Sequence, residues 1–255
     1  MGKKCIFGLY FIIFNMIVLW ADNTGFFPGP VIVGFSGSYS VNDPADNWNS
    51  DGERLRIPLF QQMNISLSRE RHHRYQLTDE LYSAGLSNIP LYQDLTLNLE
   101  YGNTPNAKFL NRNSALLTLN HTRNNKVFGI SYKRNEYQLS TNQQFMLNME
   151  YYPKSRLFYN AGITYVISDK DIKGLSYLTG INADFSPFMV FSGFSFGEEL
   201  NNESNPPSGI YFRETFLRGK YMINQKLDCS IGFSLYHNNL DQQRLNNEIV
   251  MNFYF

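Results

Sequence analysis

Apolar side chains occupy every second position of "NEIVMNFYF" at the carboxy end. Ile249, Met251, Phe253 and Phe255 share one face of an extended strand, and Glu248, Asn252 and Tyr254 share the other. The same alternation recurs in "LTLNLEYGN" (Leu95, Leu97, Leu99 and Tyr101 against Thr96, Asn98 and Glu100), "QFMLNMEYY", "LFYNAGITY" and "LDCSIGFSL". No long segment carries the 3.6-residue period of an amphipathic helix, so the chain reads as all-β. Glutamate, aspartate, asparagine, glycine and serine stand mid-strand on the polar side. A dry core excludes such groups because burying them unpaired is costly, whereas the wet lumen of a membrane barrel accepts them.

The connections sharpen this picture. From "VIVGFSGSYS" onward fourteen strand candidates can be marked, and the links between them alternate in length. The short ones are "QQMN", "NIPLYQD", "TRNNK", "YYPKSR", "FSPF" and "INQK". The long ones are "SVNDPADNWNSDGE", "RERHHRYQLTDE", "GNTPNAKFLNRNS", "KRNEYQLSTNQ", "SDKDIKG", "GEELNNESNPPSG" and "HNNLDQQRLNN". This predicts an antiparallel up-and-down transmembrane β-barrel, with short periplasmic turns, long extracellular loops and both termini periplasmic. Pro58 in the middle of the second candidate leaves twelve strands as the other count. Tyr39, Tyr101, Tyr132, Tyr165 and Phe196 precede long links on the oily face and are read as an outer aromatic girdle. A soluble sandwich also has regular turns but has no need of one-sided loop lengths. The final strand then closes the barrel against the first, and Phe253 and Phe255 resemble the carboxy-terminal signal read by the bacterial barrel-assembly machinery.

The amino end adds a location. Lys3 and Lys4 precede an unbroken apolar run ending at Ala21, followed by polar "DNTG". Residues 1–21 read as a cleaved signal peptide, 22–29 as a short segment and 30–255 as the barrel, with an uncleaved anchor as the alternative. Leu19 is bulkier than the small residue usual at that place before a cut. The chain has 22 basic and 22 acidic residues, and removing Lys3 and Lys4 leaves 20 against 22, a net −2 with no nucleic-acid footprint. Without Cys5, Cys229 stands alone and makes no internal disulfide.

"RERHHRYQLTDELYSAGLSNIPLYQDLTLNLEYGNTPNAKFLNRNSALLTL" and "GFSFGEELNN" bring a family into view. An arginine-bearing third strand, Leu-Thr-Asp opening the fourth, a "TP…FL" loop followed by Arg or Asn, and Gly-Glu after the eleventh strand resemble the YaiO-type outer-membrane β-barrel family over residues 30–255. The resemblance implies an outer-membrane barrel with links to surface polysaccharide, and it carries no catalytic residues.

Candidate chemistry is sparse. His72 and His73 are adjacent and point to opposite faces of a strand, a poor start for a metal site. Arg69, Arg71 and Arg74 around them suit lipopolysaccharide phosphates, for which the planar guanidinium is the apt donor. His121 and His237 lack a serine two residues on, so a lipid-processing dyad is not indicated. Glu70, Glu100, Lys133, Glu150, Asp184, Glu214, Asp228 and Glu248 fall on the polar face, either as the selectivity lining of a pore or as a salt-bridged filling of a narrow barrel. The Asn-X-Ser/Thr sequences at Asn64, Asn120 and Asn202 are read as chance. The sequence thus points to a non-enzymatic outer-membrane barrel without cofactor or metal. Its expected partners are outer-membrane lipid, lipopolysaccharide, the assembly machinery and a polysaccharide. A passive solute channel and a lipid-modifying enzyme are the alternatives.

Overall fold

The computed structural model describes residues 29–43, 47–60, 62–154, 156–201 and 208–255. The signal segment 1–21 and Asn202 lie outside the described residues. The described chain is fourteen strands: β1 (Ile32–Asp43), β2 (Trp48–Pro58), β3 (Asn64–Arg74), β4 (Leu77–Tyr92), β5 (Leu95–Asn103), β6 (Asn113–Arg123), β7 (Lys126–Glu136), β8 (Thr141–Lys154), β9 (Leu157–Ser168), β10 (Lys173–Asp184), β11 (Phe188–Asn201), β12 (Ser208–Asn224), β13 (Leu227–Asn238) and β14 (Gln243–Tyr254). Each pairs antiparallel with its chain neighbours, and β1 pairs with β14, closing the barrel. Closure matters because an open strand edge in lipid would leave backbone N–H and C=O groups without partners.

Paired residues in adjacent strands share a face, so the register sorts the side chains around the whole barrel. One face carries Phe35, Leu99, Leu117, Ile130, Leu147, Ile163, Leu217, Phe233 and Ile249, all exposed although apolar, which is the pattern of a surface meeting hydrocarbon. Tyr39, Tyr101, Tyr132, Tyr165 and Phe196 lie on this outer face toward one end, where Phe196 stacks on Tyr177 and Tyr132 packs on Phe145. The other face carries Gly34, Ser36, Ser38, Ser50, Ser66, Ser68 and Ser83 on β1 to β4, small side chains interspersed with the larger Arg54, Arg56 and Glu70.

Ile130 is 63% exposed on the outer face and pairs with Leu147. Ile130→Arg is expected to cost about 2–4 kcal/mol near the bilayer midplane. Gln144→Arg on the inner face of β8 should stay within about 0.5 kcal/mol of the parent. Urea-dependent folding into vesicles measures both.

The expected count of fourteen holds, because Pro58 ends β2 rather than breaking it, in keeping with proline's tolerance at a strand end. The expectation that needs correcting concerns the long links, several of which are strand. Residues 69–80 were expected to be loop, yet β3 and β4 run through them and only Tyr75 and Gln76 connect the two. Both have positive φ (48° and 61°), the geometry of a two-residue hairpin turn. These hairpins are polar on both faces, so hydrophobic alternation, which needs one oily face, is lost there. The nine-residue stretch 104–112 between β5 and β6 is a true loop. Likewise Gly197 and Glu198, expected after the eleventh strand, lie within β11. At Gly197, with φ of 143°, a Cβ would collide with the Leu175 carbonyl and Ser176 across the sheet.

Candidate functional site

The inner face is where chemistry can gather. Glu70, Glu100, Lys133, Glu150, Asp184, Glu214, Asp228 and Glu248 all have inward register, aligned with residues such as Ser36, Gly52, Ser68 and Asn252. Alternation alone gave this parity, but not the partners. The fully buried Asp228 carboxylate accepts from Lys220 Nζ (2.8 Å), Asn252 Nδ2 (2.8 Å) and the Tyr254 hydroxyl, tying β12, β13 and β14 together near the terminal end. Arg218 pairs with Glu248, the Tyr152 hydroxyl donates to Glu150, Glu70 lies 3.3 Å from His72 Nε2, and Asp184 caps the next turn by accepting from the Ser186 N–H (2.8 Å). Glu100 and Lys133, on the wall opposite that network, make no ion pair among the described residues. The interior is therefore part crosslinked and part open lining.

Cations that the sequence reading passed over complete it. Arg54 and Arg56 project inward from β2 and bound a cavity of about 630 Å³ with Glu70, Arg218, Lys220 and Glu248. Their segment, "GERLRIP", alternates weakly, which hid its parity.

A second chamber of about 680 Å³ lies at the opposite end from the termini. Its cover is the 104–112 loop, which folds inward because Asp79 holds it. The Asp79 carboxylate, 2% exposed, accepts backbone N–H groups from Lys108 (3.0 and 2.9 Å), Phe109 (2.9 Å) and Leu110 (2.8 Å). Gln138 Nε2 donates to the Ala107 carbonyl, and Ala107 and Thr104 are themselves buried. Successive backbone N–H groups converging on one carboxylate make an anion nest, here used to dock a loop inside a barrel mouth. In the chamber wall, the Arg74 guanidinium lies 3.7 Å from the Trp48 ring centroid and Arg244 lies 5.2 Å from it and 4.6 Å from that of Tyr236, whose hydroxyl donates to Glu199.

The arginine cluster expected to act together is divided. Arg69 and Arg71 face outward and share Glu80 (3.1 and 3.4 Å), with Asp51 3.9 Å from Arg71. Arg74 faces inward, because three residues on along a strand reverses the side. His72 is inward and His73 outward, the latter with its ring 2.9 Å from Thr78 Oγ1. Among the described residues no group of three His, Cys, Asp or Glu is placed to hold a metal ion. His121 and His237 are at opposite ends of the barrel, on β6 and β13, and share no site.

No family model matches the chain, and no curated protein matches it in sequence. Solved structures do match its fold. A bacterial polysaccharide outer membrane secretin aligns with 88% of this chain and 98% of its own at 11% identity, with a TM-score of 0.62. The CymD monoaromatic hydrocarbon channel aligns with 90% of this chain and 89% of its own at 7% identity and 0.62. The outer membrane protein Omp33 of Acinetobacter baumannii aligns with 89% and 99% at 11% identity and 0.55. The fold is that of a bacterial outer-membrane β-barrel.

Proposed function

We infer that this chain is an outer-membrane channel for small polar solutes, with both termini periplasmic and the inward-folded 104–112 loop as its constriction. The observation that carries this reading is a pair of charged cavities, of about 630 and 680 Å³, within the barrel, the first of them walled by small serines and glycines of β1 to β3 beside Arg54, Arg56 and Glu70. No residue in this reading acts as a nucleophile or a general base. The test is single-channel conductance of the refolded chain in a planar bilayer, after a gel has established that unboiled and boiled samples migrate differently. Glu100→Gln should lower cation preference and Lys133→Gln raise it, since among the described residues neither side chain is within ion-pair distance of an opposite charge that would absorb the change. Silence from a folded barrel would mean a plugged lumen and end the reading.

A YaiO-type role at the cell surface, in passage or attachment of polysaccharide, is the second reading. It is favoured by one contact: two of the stretches on which that resemblance rests, Leu77–Asp79 and the "TP…FL" loop, are joined by the Asp79 carboxylate. In either case residues 1–21 serve as the export signal. Arg69 and Arg71, outward at the loop end, suit lipopolysaccharide phosphates, and Phe253 and Phe255 are the signal for barrel assembly.

A further inference from the structure

The cavity of about 630 Å³ holds two kinds of cation. On β12, Arg218 pairs with Glu248, and Lys220 Nζ lies 2.8 Å from the buried Asp228 carboxylate. On β2, Arg54 and Arg56 are different. Among the described residues neither makes a hydrogen bond or an ion pair, and both are exposed although they line the cavity inside the barrel. The register gives the reason. Across the ladder they face Ile32 and Gly34 on β1 and Ser66 and Ser68 on β3, so no directly paired residue carries an opposite charge. Glu70, whose field reaches Arg54, is engaged by His72 Nε2 at 3.3 Å. Gly34 keeps the space beside Arg54 clear: a Cβ there would lie 3.8 Å from the Arg54 Cβ and only 2.8 Å from Asn252 Oδ1. The pair is therefore a local positive charge facing accessible space with its neutralising partner left to the lumen, and it draws anions there.

The spacing narrows the ligand class. Residues at alternate positions of a strand stand about 6.6 Å apart, and their side chains leave the sheet side by side rather than converging. Each guanidinium is a planar fork that takes one carboxylate through two parallel N–H···O bonds. Two forks side by side match two carboxylates joined by a short chain. A compact dianion presents both its charges at one point, and a monocarboxylate leaves one fork empty. We propose that Arg54 and Arg56 form a binding site for a short-chain dicarboxylate, one carboxylate on each guanidinium, on the inner wall of the barrel. The site deepens the channel reading by naming the solute class; it rests on that reading for passage and not for binding.

The refolded, heat-modifiable protein is titrated with succinate and, separately, with butyrate, a monocarboxylate of the same chain length, and binding is read from the broadening of the solute's proton resonances. Sodium sulfate serves as competitor. The expected result is saturable succinate binding that weakens as salt rises, is at least tenfold tighter than butyrate binding, and is displaced by sulfate no better than by sodium chloride of equal ionic strength. Arg54→Gln and Arg56→Gln should each bring succinate down to the affinity of butyrate, because one fork remains. Arg54→Lys keeps the charge without the fork and should fall between. Equal affinity for the two solutes, displacement by sulfate at matched ionic strength, no binding by the folded parent, or undiminished succinate binding in either glutamine variant would each overturn the proposal, and the first three need no variant to fold. Binding without conductance would remove the channel and keep the site, while conductance without binding would remove only the site.

Discussion

Replacing Asp79 with alanine is expected to raise the conductance of the reconstituted barrel while lowering its stability by about 3 kcal/mol or more. The carboxylate is nearly sealed from solvent and receives the backbone N–H groups of Lys108, Phe109 and Leu110 at 2.8 to 3.0 Å. Alanine leaves those three donors in the mouth with no acceptor, at about 1–3 kcal/mol each if they stay buried. Swinging the loop out to water relieves that cost and removes Lys108–Asn111 from above the chamber, so the two effects are linked. Asp79→Asn keeps an acceptor oxygen but loses the charge, and should fall between parent and alanine in both conductance and urea midpoint. An alanine variant with parental conductance would show that the loop does not narrow the path.

Asp79 also illustrates where the sequence stops being readable. Glu100 and Asp228 could be assigned to the inner face by counting, because Leu99, Tyr101, Leu227 and Cys229 beside them fix the oily side. The parity of a lipid-facing strand is written in every second residue, and lipid tolerates no error in it. Beyond the membrane both faces are wet, so "RERHHRYQLTDE", although counting places its Glu70, has no oily side to mark it as strand and reads as loop, though it is a hairpin with two residues at its tip. For the same reason Arg69, Arg71 and Arg74 were grouped, when the last of them faces the chamber. The Asp79 contact spans 29 to 31 residues and is made to backbone N–H groups, which every residue but proline has, so no side-chain pattern announces it. Trp48 and Arg244 are likewise united only by closure of β1 on β14.

That closure carries the other large effect. Deleting residues 249–255 is expected to abolish the heat-modifiable barrel altogether. In the register, Ile32 to Gly37 of β1 pair with Tyr254 to Ile249, and Leu227 to Ile231 of β13 pair with Phe253 to Ile249, so the deletion opens two edges at once. Each backbone group left unpaired in hydrocarbon costs several kcal/mol, and the handful exposed exceeds the stability of any ordinary domain. Phe255→Ala is a separate test. Its backbone still exchanges hydrogen bonds with Val31 (3.0 and 2.9 Å), and what it loses is packing on the cluster of Val31, Val33 and Leu55, about 1 kcal/mol for a half-buried ring. That variant should refold in detergent nearly as well as the parent yet insert poorly in cells if the terminal aromatic is read during assembly. Equal insertion in cells would leave Phe255 a seam residue only. A refolded, heat-resistant form of the truncated chain would mean that β14 is not what closes the barrel.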